Sequence, residues 1–387
     1  MEKRYTRIEQ VDMIGPEGLA ALQGASVAVV GAGNIGGQVA QHLAMLGMGV
    51  LVVDKDTVAE ENLGTQGFAS DQLGSPKAEA RARHLAQLNP SCRIEALHAD
   101  IEQLGLGALR DMALIFSCLD SRRSRVVVNE LATRLGIPWV DAAVDGSGRS
   151  LLGRVAAYDP RSPTSSCYLC PHDSESLGEV MREGGDGSCP TWRWEASKPV
   201  TAPTLAISAL GAVVAGAQAI WGLKLLLGHA EEVVGREMYL DLGRSVVTTH
   251  EMNRNPRCVL DHQVFALTPF GRSASEITVE DAFAEAEARL GPGVSLRLHR
   301  RSIATELSCP ECAAVSRPYR VLEATTPKEA TCRCGTIMQP VALGLRDRLS
   351  KEDATEFLQK TWEQVGLPPS DVITASRGNE KVHLLLE

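Results

Sequence analysis

The stretch SVAVVGAGNIGGQVAQHLAMLGMGVLVVD, residues 26–54, decides the fold of the front half of the chain. It opens with a short continuous apolar run, SVAVV, which is typical of a strand buried on both faces. The glycine-rich turn GAGNIGG follows at residues 31–37, and apolar side chains then recur at helical spacing up to Leu46. A second apolar run, at residues 50–53, ends at Asp54. This order predicts a β–α–β unit with a glycine-rich turn.

The glycine-rich turn predicts a nucleotide site. Gly31, Gly33 and Gly36 let the backbone and a ligand approach closely, and the N-terminus of the following helix favours negative charge. Asp54 stands at the tip of the second strand, where its carboxylate can accept hydrogen bonds from ribose hydroxyls. These features alone favour an NAD-dependent dehydrogenase, so the choice of nucleotide depends on the residues that follow.

Alternating strand-like and helical patterns continue to residue 141. Strands are predicted at residues 93–97, 113–118 and 138–141, and helices at residues 77–88 and 123–135. Because strands and helices alternate, the sequence predicts an α/β fold with a doubly wound, mostly parallel sheet. Asp120 follows the fourth strand, at the edge where such sheets bind ligands.

An ordered series of motifs makes the front half more specific. The series is RYTR (residues 4–7), DKDTV (54–58), NLGTQ (62–66), GSPKA (74–78), CLDSRRSR (118–125) and CYLC (167–170). In this order and spacing the chain, from about residue 4 to residue 264, resembles the adenylation domain of the ThiF/MoeB and ubiquitin-activating superfamily. The resemblance implies an ATP-using enzyme that adenylates the C-terminal carboxylate of a small ubiquitin-like or sulfur-carrier protein.

The resemblance also assigns roles to residues around ATP. By this resemblance Asp54 holds the ribose, and Asn62 and Lys77 contact the phosphates. Asp120 organises Mg²⁺, a hard cation that prefers carboxylate and phosphate oxygens. Arg7 reaches the ATP of the partner subunit, which implies a homodimer with shared active sites. The residues predicted to bind the nucleotide are Gly31, Gly33, Gly36, Asp54, Asp56, Asn62, Gln66, Lys77, Asp120 and Arg125.

The series departs from the family at one position. Relatives usually carry Arg immediately before the Gln of the Asn-x-x-Arg-Gln motif, and here Thr65 precedes Gln66. A guanidinium that faces the phosphates is therefore missing from its usual place. Three interpretations stay open: Arg122, Arg123 or Arg125 takes its place, ATP turnover is slow, or the chain is a non-catalytic scaffold.

The cysteines point to metal binding. The chain has 10 cysteines and no apolar signal region near Met1, so metal or catalysis is expected rather than disulfides. In the family, the pair formed by Cys167 and Cys170 joins a second cysteine pair to bind a structural zinc. Here the second element is Cys258 with His262, and three thiolates with one imidazole suit tetrahedral Zn²⁺. Asp261 is the alternative fourth ligand.

The tail carries a second cysteine set. Its members are Cys309, Cys312, Cys332 and Cys334, in a Cys-Pro-x-Cys knuckle and a tighter Cys-x-Cys pair. This spacing predicts a possible second zinc site. Four thiolates would leave no open coordination position, so chemistry at this ion is not expected.

Cys189 is the predicted nucleophile. It lies in the turn-rich stretch GGDGSCPT, residues 184–191, within an inserted loop of about residues 171–201. In relatives, a cysteine in this order along the chain takes over the activated acyl group or participates in sulfur transfer. A thiolate can attack an acyl-adenylate, and loop exposure keeps it accessible. The alternative is an incidental loop cysteine.

A change of composition near Gly271 predicts two domains, an adenylation domain at residues 1–265 and a smaller α+β domain at residues 272–387 that contains the cysteine ribbon. Within the smaller domain, a capping box at residues 278–281 predicts a helix to Leu290, and Ser350 is predicted to cap a helix to about Val365. Strands are predicted at residues 372–376 and 382–387. Such a module suits recruitment of a conjugating enzyme, as in bacterial ubiquitin-like operons.

Composition also bears on partners and location. The net charge of −9 argues against nucleic acid, whose phosphates demand clustered cations. Residues 202–227 are apolar enough to mimic a membrane span, but such a helix equally forms a domain centre or an oligomer interface. We expect no membrane and a cytoplasmic homodimer that uses ATP, Mg²⁺ and Zn²⁺ to activate a ubiquitin-like protein. The alternative is a sulfur-carrier adenylyltransferase in thiamin or molybdopterin synthesis.

Overall fold

A computed structural model describes residues 3–147, 151–173, 176–178, 205–341 and 344–387. The chain forms two compact units, of which the first ends at residue 264 and the second contains the chain from residue 265 onward. Residues 103–108 belong to the second unit although they precede most of the first unit in sequence. In that unit the carboxylate of Asp371 accepts a hydrogen bond from the Leu106 N–H at 2.9 Å and forms an ion pair with Arg301, also at 2.9 Å.

The first unit contains an eight-stranded sheet. Its strands are β1 (Ser26–Val30), β2 (Gly49–Asp54), β3 (Ile94–His98), β4 (Leu114–Ser117), β5 (Trp139–Asp145), β6 (Leu152–Tyr158), β7 (Arg236–Asp241) and β8 (Val246–Glu251). They lie in the order β3-β2-β1-β4-β5-β6-β7-β8. The first five strands are parallel, and β6, β7 and β8 join antiparallel. The predicted mostly parallel α/β sheet is confirmed, and its antiparallel extension was not predicted.

Six helices of the first unit have defined bounds. They are α1 (Gly15–Gly24), α2 (Asn34–Leu46), α3 (Glu60–Leu63), α4 (Lys77–Leu88), α5 (Arg122–Leu135) and α6 (Ser208–Leu226). The helices predicted at residues 77–88 and 123–135 correspond to α4 and α5. In β1, every residue after Ser26 is buried, as expected for a strand covered on both faces.

The apolar helix α6 is part of the core of the first unit. By length and composition α6 is a candidate membrane span, but more than half of its most apolar window is buried in the structure. It packs against α2 and against strands β5 and β6. The fully buried amide of Gln218 donates hydrogen bonds of 2.9 Å to the carbonyls of both Ser117 and Val140. A buried amide that satisfies two main-chain acceptors is expected of a helix packed on a sheet.

The second unit is α+β. Its helices are α7 (Val279–Leu290), α8 (Pro327–Ala330) and α9 (Trp362–Val365). Its strands are β9 (Leu267–Pro269), β10 (Ser295–Leu298), β11 (Ile303–Ala304), β12 (Leu307–Ser308), β13 (Val315–Ser316), β14 (Arg320–Val321), β15 (Gln339–Pro340), β16 (Leu345–Arg346), β17 (Arg348–Leu349), β18 (Val372–Arg377) and β19 (Glu380–Leu385). They form one five-stranded sheet, β17-β10-β18-β19-β9, and two three-stranded sheets, β14-β11-β16 and β13-β12-β15.

In the second unit the predicted capping box and final strands are confirmed, and one predicted helix is wrong. The capping box at α7 is confirmed, because the Thr278 hydroxyl accepts a hydrogen bond from the Asp281 N–H at 3.0 Å. The predicted final strands correspond to β18 and β19. The long helix predicted after Ser350 is wrong, since the only α-helix described in that stretch is the four-residue α9.

Tertiary hydrogen bonds explain the missing helix. The carbonyls of Leu358 and Lys360 accept hydrogen bonds from the N–H groups of Glu280 and Val279, and the Trp362 N–H donates to the Ile277 carbonyl. This pairing holds the backbone away from a helical path, so tertiary contacts override local propensity.

Candidate nucleotide site and cysteine clusters

The glycine-rich turn joins β1 to α2 and lies against Asp54. The Ala32 N–H donates a hydrogen bond of 2.6 Å to the Asp54 carboxylate. A Cβ at Gly36 would lie 1.8 Å from the Gly31 carbonyl oxygen, so a side chain at this position would break the turn. The structure therefore brings the turn and the predicted ribose ligand together.

Asp54 retains capacity for a ligand. Its carboxylate also accepts a hydrogen bond of 2.8 Å from the Asp56 N–H. Burial raises the pKa of Asp54, and the two hydrogen bonds from main-chain N–H groups oppose this effect. A carboxylate offers about four lone-pair sites, so two main-chain donors leave room for ribose hydroxyls.

Lys77 is the first residue of α4 and is 7% exposed. Its ammonium lies 3.3 Å from the carboxylate of Asp56, which is itself exposed. The structure thus brings these two predicted residues together beside Asp54. A largely buried ammonium whose described ion pair is with one exposed carboxylate suits the binding of a phosphate.

Asn62 and Gln66 lie on the segment that carries the departure at Thr65. The Asn62 side-chain oxygen accepts a hydrogen bond from the Ala59 N–H at 2.9 Å, which caps the start of α3. Its amide nitrogen is then the group suited to a phosphate oxygen. The Gln66 side-chain oxygen is buried and finds no hydrogen-bond partner among the residues that the structure describes. It lies 3.6 Å from the position of a Cβ on Gly33.

Asp120 lies between β4 and α5 and is exposed. Ser121, rather than Asp120, caps α5, because its hydroxyl accepts a hydrogen bond from the Ser124 N–H at 3.3 Å. The Asp120 carboxylate is therefore not used as the helix cap. This position at the carboxyl edge of the parallel strands suits a Mg²⁺ ligand.

The arginines after Asp120 make contacts within the first unit. Arg123 forms an ion pair with Glu102 at 3.2 Å. The Arg125 guanidinium lies 3.2 Å from the fully buried Asp141 carboxylate and also donates to the Leu119 carbonyl. Arg125, which was predicted to bind the nucleotide, therefore supports the loop before Asp120 through Leu119. Both arginines are paired with carboxylates in this structure, and the replacement of the guanidinium missing at Thr65 by either one stays a prediction.

Arg7 is exposed and lies two residues after the buried Tyr5. Two residues earlier, the Tyr5 hydroxyl accepts a hydrogen bond of 2.9 Å from the Asn89 amide. This contact fixes the start of the N-terminal segment to the first unit. Arg7 itself is thus available at the surface, as its predicted role in a partner's site requires.

The structure adds one residue that the sequence did not single out. Arg81 lies one turn after Lys77 in α4 and is 5% exposed. Arg83, two residues further along, lies on the opposite face of the helix, and its side chain is 56% exposed. Arg81 shares the buried face of α4 with Ala78 and Leu85, so helical periodicity is the sequence signal that could have found it.

The first cysteine cluster contains Cys167, Cys170, Cys258 and His262. Its S···S distances are 3.7 Å and 3.8 Å, and the Cys170 sulfur lies 3.6 Å from His262 Nε2. Zn–S bonds of about 2.3 Å in a tetrahedron place sulfur atoms about 3.8 Å apart, so these residues fit zinc. The carboxylate of Asp261 instead forms an ion pair with Arg134, which favours His262 as the fourth ligand.

Two of the three thiols of this cluster have a lowered pKa. A hydrogen bond from Cys167 lowers the pKa of Cys170 to about 5. A hydrogen bond from Cys167 also lowers the pKa of Cys258 to about 6. The same contacts with Cys170 and Cys258 raise the pKa of Cys167. Because the thiolate is the form that binds metal, two of the three thiols favour the ligand state at neutral pH, and Cys167 would lose its proton when a cation binds.

The second cysteine cluster lies in the second unit. Cys309 and Cys334 are 3.5 Å apart at sulfur, as are Cys312 and Cys332. The ligand atoms of all four residues lie within 4.8 Å of one another. A hydrogen bond from the Thr336 N–H lowers the pKa of Cys334 to about 6. The predicted tail residues are therefore brought together in a set that fits Zn²⁺.

Cys189, the predicted nucleophile, lies outside the residues that the structure describes. Its role stays a prediction from sequence. The same holds for most of the predicted inserted loop at residues 171–201.

Comparison with known proteins identifies the family. The model of the ThiF family matches residues 5–260, and the chain belongs to this family. The chain is 32% identical over 263 residues to a sulfur carrier protein adenylyltransferase of Thermus thermophilus, which is 66% of this chain and 89% of that protein. It is 29% identical over 265 residues to a SAMP-activating enzyme E1 of Haloferax volcanii, which is 66% of this chain and 87% of that protein.

A solved structure shows the same fold. The crystal structure of E. coli MccB with ATP superimposes with a TM-score of 0.51 and 20% identity, over 67% of this chain and 74% of that chain. The predicted ThiF/MoeB resemblance is therefore confirmed. The chain is an ATP-dependent adenylyltransferase, and the dehydrogenase alternative is set aside.

Proposed function

We propose that this enzyme adenylates the C-terminal carboxylate of a ubiquitin-like protein and then passes the acyl group to a thiol for conjugation. The observation that carries the proposal is the placement of Asp54 and Lys77 at the glycine-rich turn of a ThiF-family chain, with Asp120 exposed between β4 and α5. A relative with a matching name is the SAMP-activating enzyme E1 of Haloferax volcanii. The second unit would recruit a conjugating enzyme.

The site suits in-line displacement at the ATP α-phosphate. Asp54 would accept hydrogen bonds from the ribose, while the Asn62 amide and the Lys77 ammonium would hold phosphate oxygens. Mg²⁺, when bound at Asp120, would neutralise charge on the leaving pyrophosphate. A carboxylate oxygen of the protein substrate would form the new bond to phosphorus as the bond to pyrophosphate breaks. Such chemistry depends on positioning and charge neutralisation more than on covalent help from the enzyme.

A second candidate is a sulfur-carrier adenylyltransferase. It is favoured by the relative from Thermus thermophilus, which carries that name and is 32% identical. Both candidates share the adenylation step and differ in the fate of the acyl-adenylate. The experiment that tests the function must therefore follow the acyl group after pyrophosphate has left.

The first measurement is ATP–pyrophosphate exchange with a panel of small ubiquitin-like and sulfur-carrier proteins. We expect exchange only with a partner whose C-terminal carboxylate is free, because that carboxylate is the nucleophile. The matched control is the same partner with an amidated C-terminus, which should give no exchange. Exchange that needs no partner, or that proceeds with the amidated one, would contradict the proposal.

The second measurement in the same assay separates the two candidates. With ATP and Mg²⁺, we expect a reductant-sensitive adduct between the enzyme and a ubiquitin-like partner. Cys189→Ala should eliminate the adduct and leave pyrophosphate exchange largely intact, since the thiol acts after adenylation. Cys92→Ala, at a thiol outside both clusters, is the control and should keep the adduct. An adduct that survives Cys189→Ala places the nucleophile elsewhere, and no adduct with any accepted partner favours the sulfur-carrier candidate.

We also propose that the enzyme is a homodimer with shared active sites. On α6, Val213 and Ile220 are 45% and 50% exposed and lie two turns apart on one face. Leu205 and Ile207, just before the helix, are 56% and 51% exposed. A second copy of the chain would cover these apolar side chains, and Arg7 is at the surface to reach the partner's site.

Subunit mixing tests the shared site. We expect Arg7→Ala and Asp120→Ala homodimers to be inactive in exchange. Heterodimers of the two variants should regain one of their two sites, because the site with an intact Asp120 receives Arg7 from the other subunit. Size-exclusion chromatography with differently tagged subunits confirms heterodimer formation. No recovery in confirmed heterodimers would show that Arg7 does not act in trans.

A further inference from the structure

Arg81 is a buried cation next to the glycine-rich turn. Its guanidinium donates a hydrogen bond of 2.7 Å to the Gln66 carbonyl and a longer one of 3.4 Å to the Ala32 carbonyl. Its Nε atom is buried and has no hydrogen-bond partner in the described part of the chain. Among the residues that the structure describes, no carboxylate forms an ion pair with Arg81. Burial lowers its pKa to about 10, an effect opposed by Asp54, so the side chain is charged at neutral pH.

The two carbonyls that Arg81 binds belong to the two segments that are predicted to enclose the phosphates. Ala32 lies in the glycine-rich turn, and Gln66 directly follows Thr65, where the family's arginine is missing. The guanidinium also stacks 4.5 Å from the centre of the Phe68 ring, which fixes its orientation. One side chain therefore ties the turn to the segment that has lost its own cation.

The helix opposite provides the space for this guanidinium. A Cβ on Gly37 would lie 2.4 Å from an Arg81 terminal nitrogen and 2.5 Å from its central carbon. Any side chain at this position of α2 would displace the guanidinium. Gly37 and Arg81 are thus a matched pair, because the glycine leaves the space that the guanidinium occupies.

The charge of Asp54 acts on this guanidinium, but the two side chains form no ion pair, so further negative charge nearby would offset the cost of burying it. The ATP phosphates are the anions that this site binds, and charge interactions are stronger in a site shielded from water. Main-chain N–H groups of the turn also need a fixed direction to bind phosphate oxygens.

We propose that Arg81 is a positioning residue of the ATP site that compensates for Thr65. Its hydrogen bonds fix the glycine-rich turn and the Gln66 segment in the phosphate-binding geometry, and its charge adds to the positive potential around the phosphates. The proposal concerns nucleotide binding alone and does not depend on the identity of the protein partner.

Equilibrium binding of a fluorescent ATP analogue to the full chain tests the proposal. Arg81→Met removes the charge and keeps much of the volume, and we expect the Kd for the analogue to rise about 10- to 100-fold. Arg81→Lys should recover part of this loss. Arg83→Met, on the exposed face of the same helix, should bind like wild type. Wild-type affinity in a folded Arg81→Met protein would overturn the proposal, and this outcome is independent of any failure to find a protein partner.

A kinetic readout and a rescue separate positioning from simple loss of folding. In pyrophosphate exchange, Arg81→Met should raise the KM for ATP far more than it lowers kcat, with the melting temperature recorded for each variant. Thr65→Arg added to Arg81→Met should restore part of the ATP affinity, because it returns a guanidinium to the family's position. No restoration by Thr65→Arg would overturn the compensation.

A double-mutant cycle with Gly37 gives an independent test. Gly37→Ala should weaken ATP binding in the wild-type background by displacing the Arg81 guanidinium. In an Arg81→Ala background the same substitution should have little further effect, since the clashing atoms are gone. Fully additive losses would overturn the assignment of a matched pair.

Discussion

Asp120→Ala is expected to lower ATP–pyrophosphate exchange by on the order of 100-fold or more, because it removes the predicted Mg²⁺ ligand. Asp120 is exposed at the carboxyl edge of the parallel strands, and Ser121 takes the role of helix cap. The substitution therefore leaves the start of α5 capped. Melting temperature should change little, which distinguishes a lost metal ligand from a lost fold.

Two further variants sharpen this test. Asp120→Asn keeps the shape of the side chain and loses the charge, so we expect a similar defect that high Mg²⁺ concentration relieves in part. Asp111→Ala, at a carboxylate whose side chain is 80% exposed, is the matched control and should exchange like wild type. Near wild-type exchange by Asp120→Ala at physiological Mg²⁺ would show that another group organises the cation.

The parallel half of the sheet could be predicted because its signals are local. A continuous apolar run predicts a doubly buried strand, and β1 was placed at its observed bounds. The antiparallel strands could not be predicted in the same way. All six residues of β8 are exposed, so its sequence carries no burial pattern that separates it from a loop.

Some residues of the candidate site could likewise be predicted from local sequence motifs, and others could not. Lys77 and Asp120 belong to motifs that are recognisable in sequence, and their positions beside the glycine-rich turn follow from the fold. Arg81 acts through carbonyls that lie 49 and 15 residues away, so its partners cannot be read from local sequence. Helical periodicity places Arg81 on the buried face of α4 and Arg83 on the exposed face, but it does not show what Arg81 binds. Its importance appears only when burial and partners are known.

The zinc ligands could be predicted from the sequence only in part. Cysteine spacing predicted both clusters, but spacing could not choose between Asp261 and His262, which are adjacent in sequence. The choice depends on backbone direction: His262 has a left-handed backbone with φ of 55°, and Asp261 pairs with Arg134. Residues other than glycine rarely adopt this conformation, so sequence rules do not anticipate it at His262.

Cys258→Ser is expected to remove one of about two zinc ions per chain and to lower the melting temperature by on the order of 10 °C. A serine hydroxyl does not ionise at neutral pH, so the substitution leaves three ligands where structural zinc needs four. In the first cluster the ion would join residues 167–170 to residues 258–262, two segments far apart in sequence. Metal content by mass spectrometry and thermal unfolding measure the two effects.

Neighbouring residues supply the control that makes this prediction specific. Asp261→Ala should keep the full zinc content, because the Asp261 carboxylate pairs with Arg134, whereas His262→Ala should lose an ion as Cys258→Ser does. Retention of both ions by Cys258→Ser would show that Cys258 is not a required zinc ligand. Loss of zinc from Asp261→Ala but not from His262→Ala would make the carboxylate the fourth ligand. Because residues 261 and 262 are adjacent, a difference between their variants reports the ligand set rather than a general disturbance of the segment.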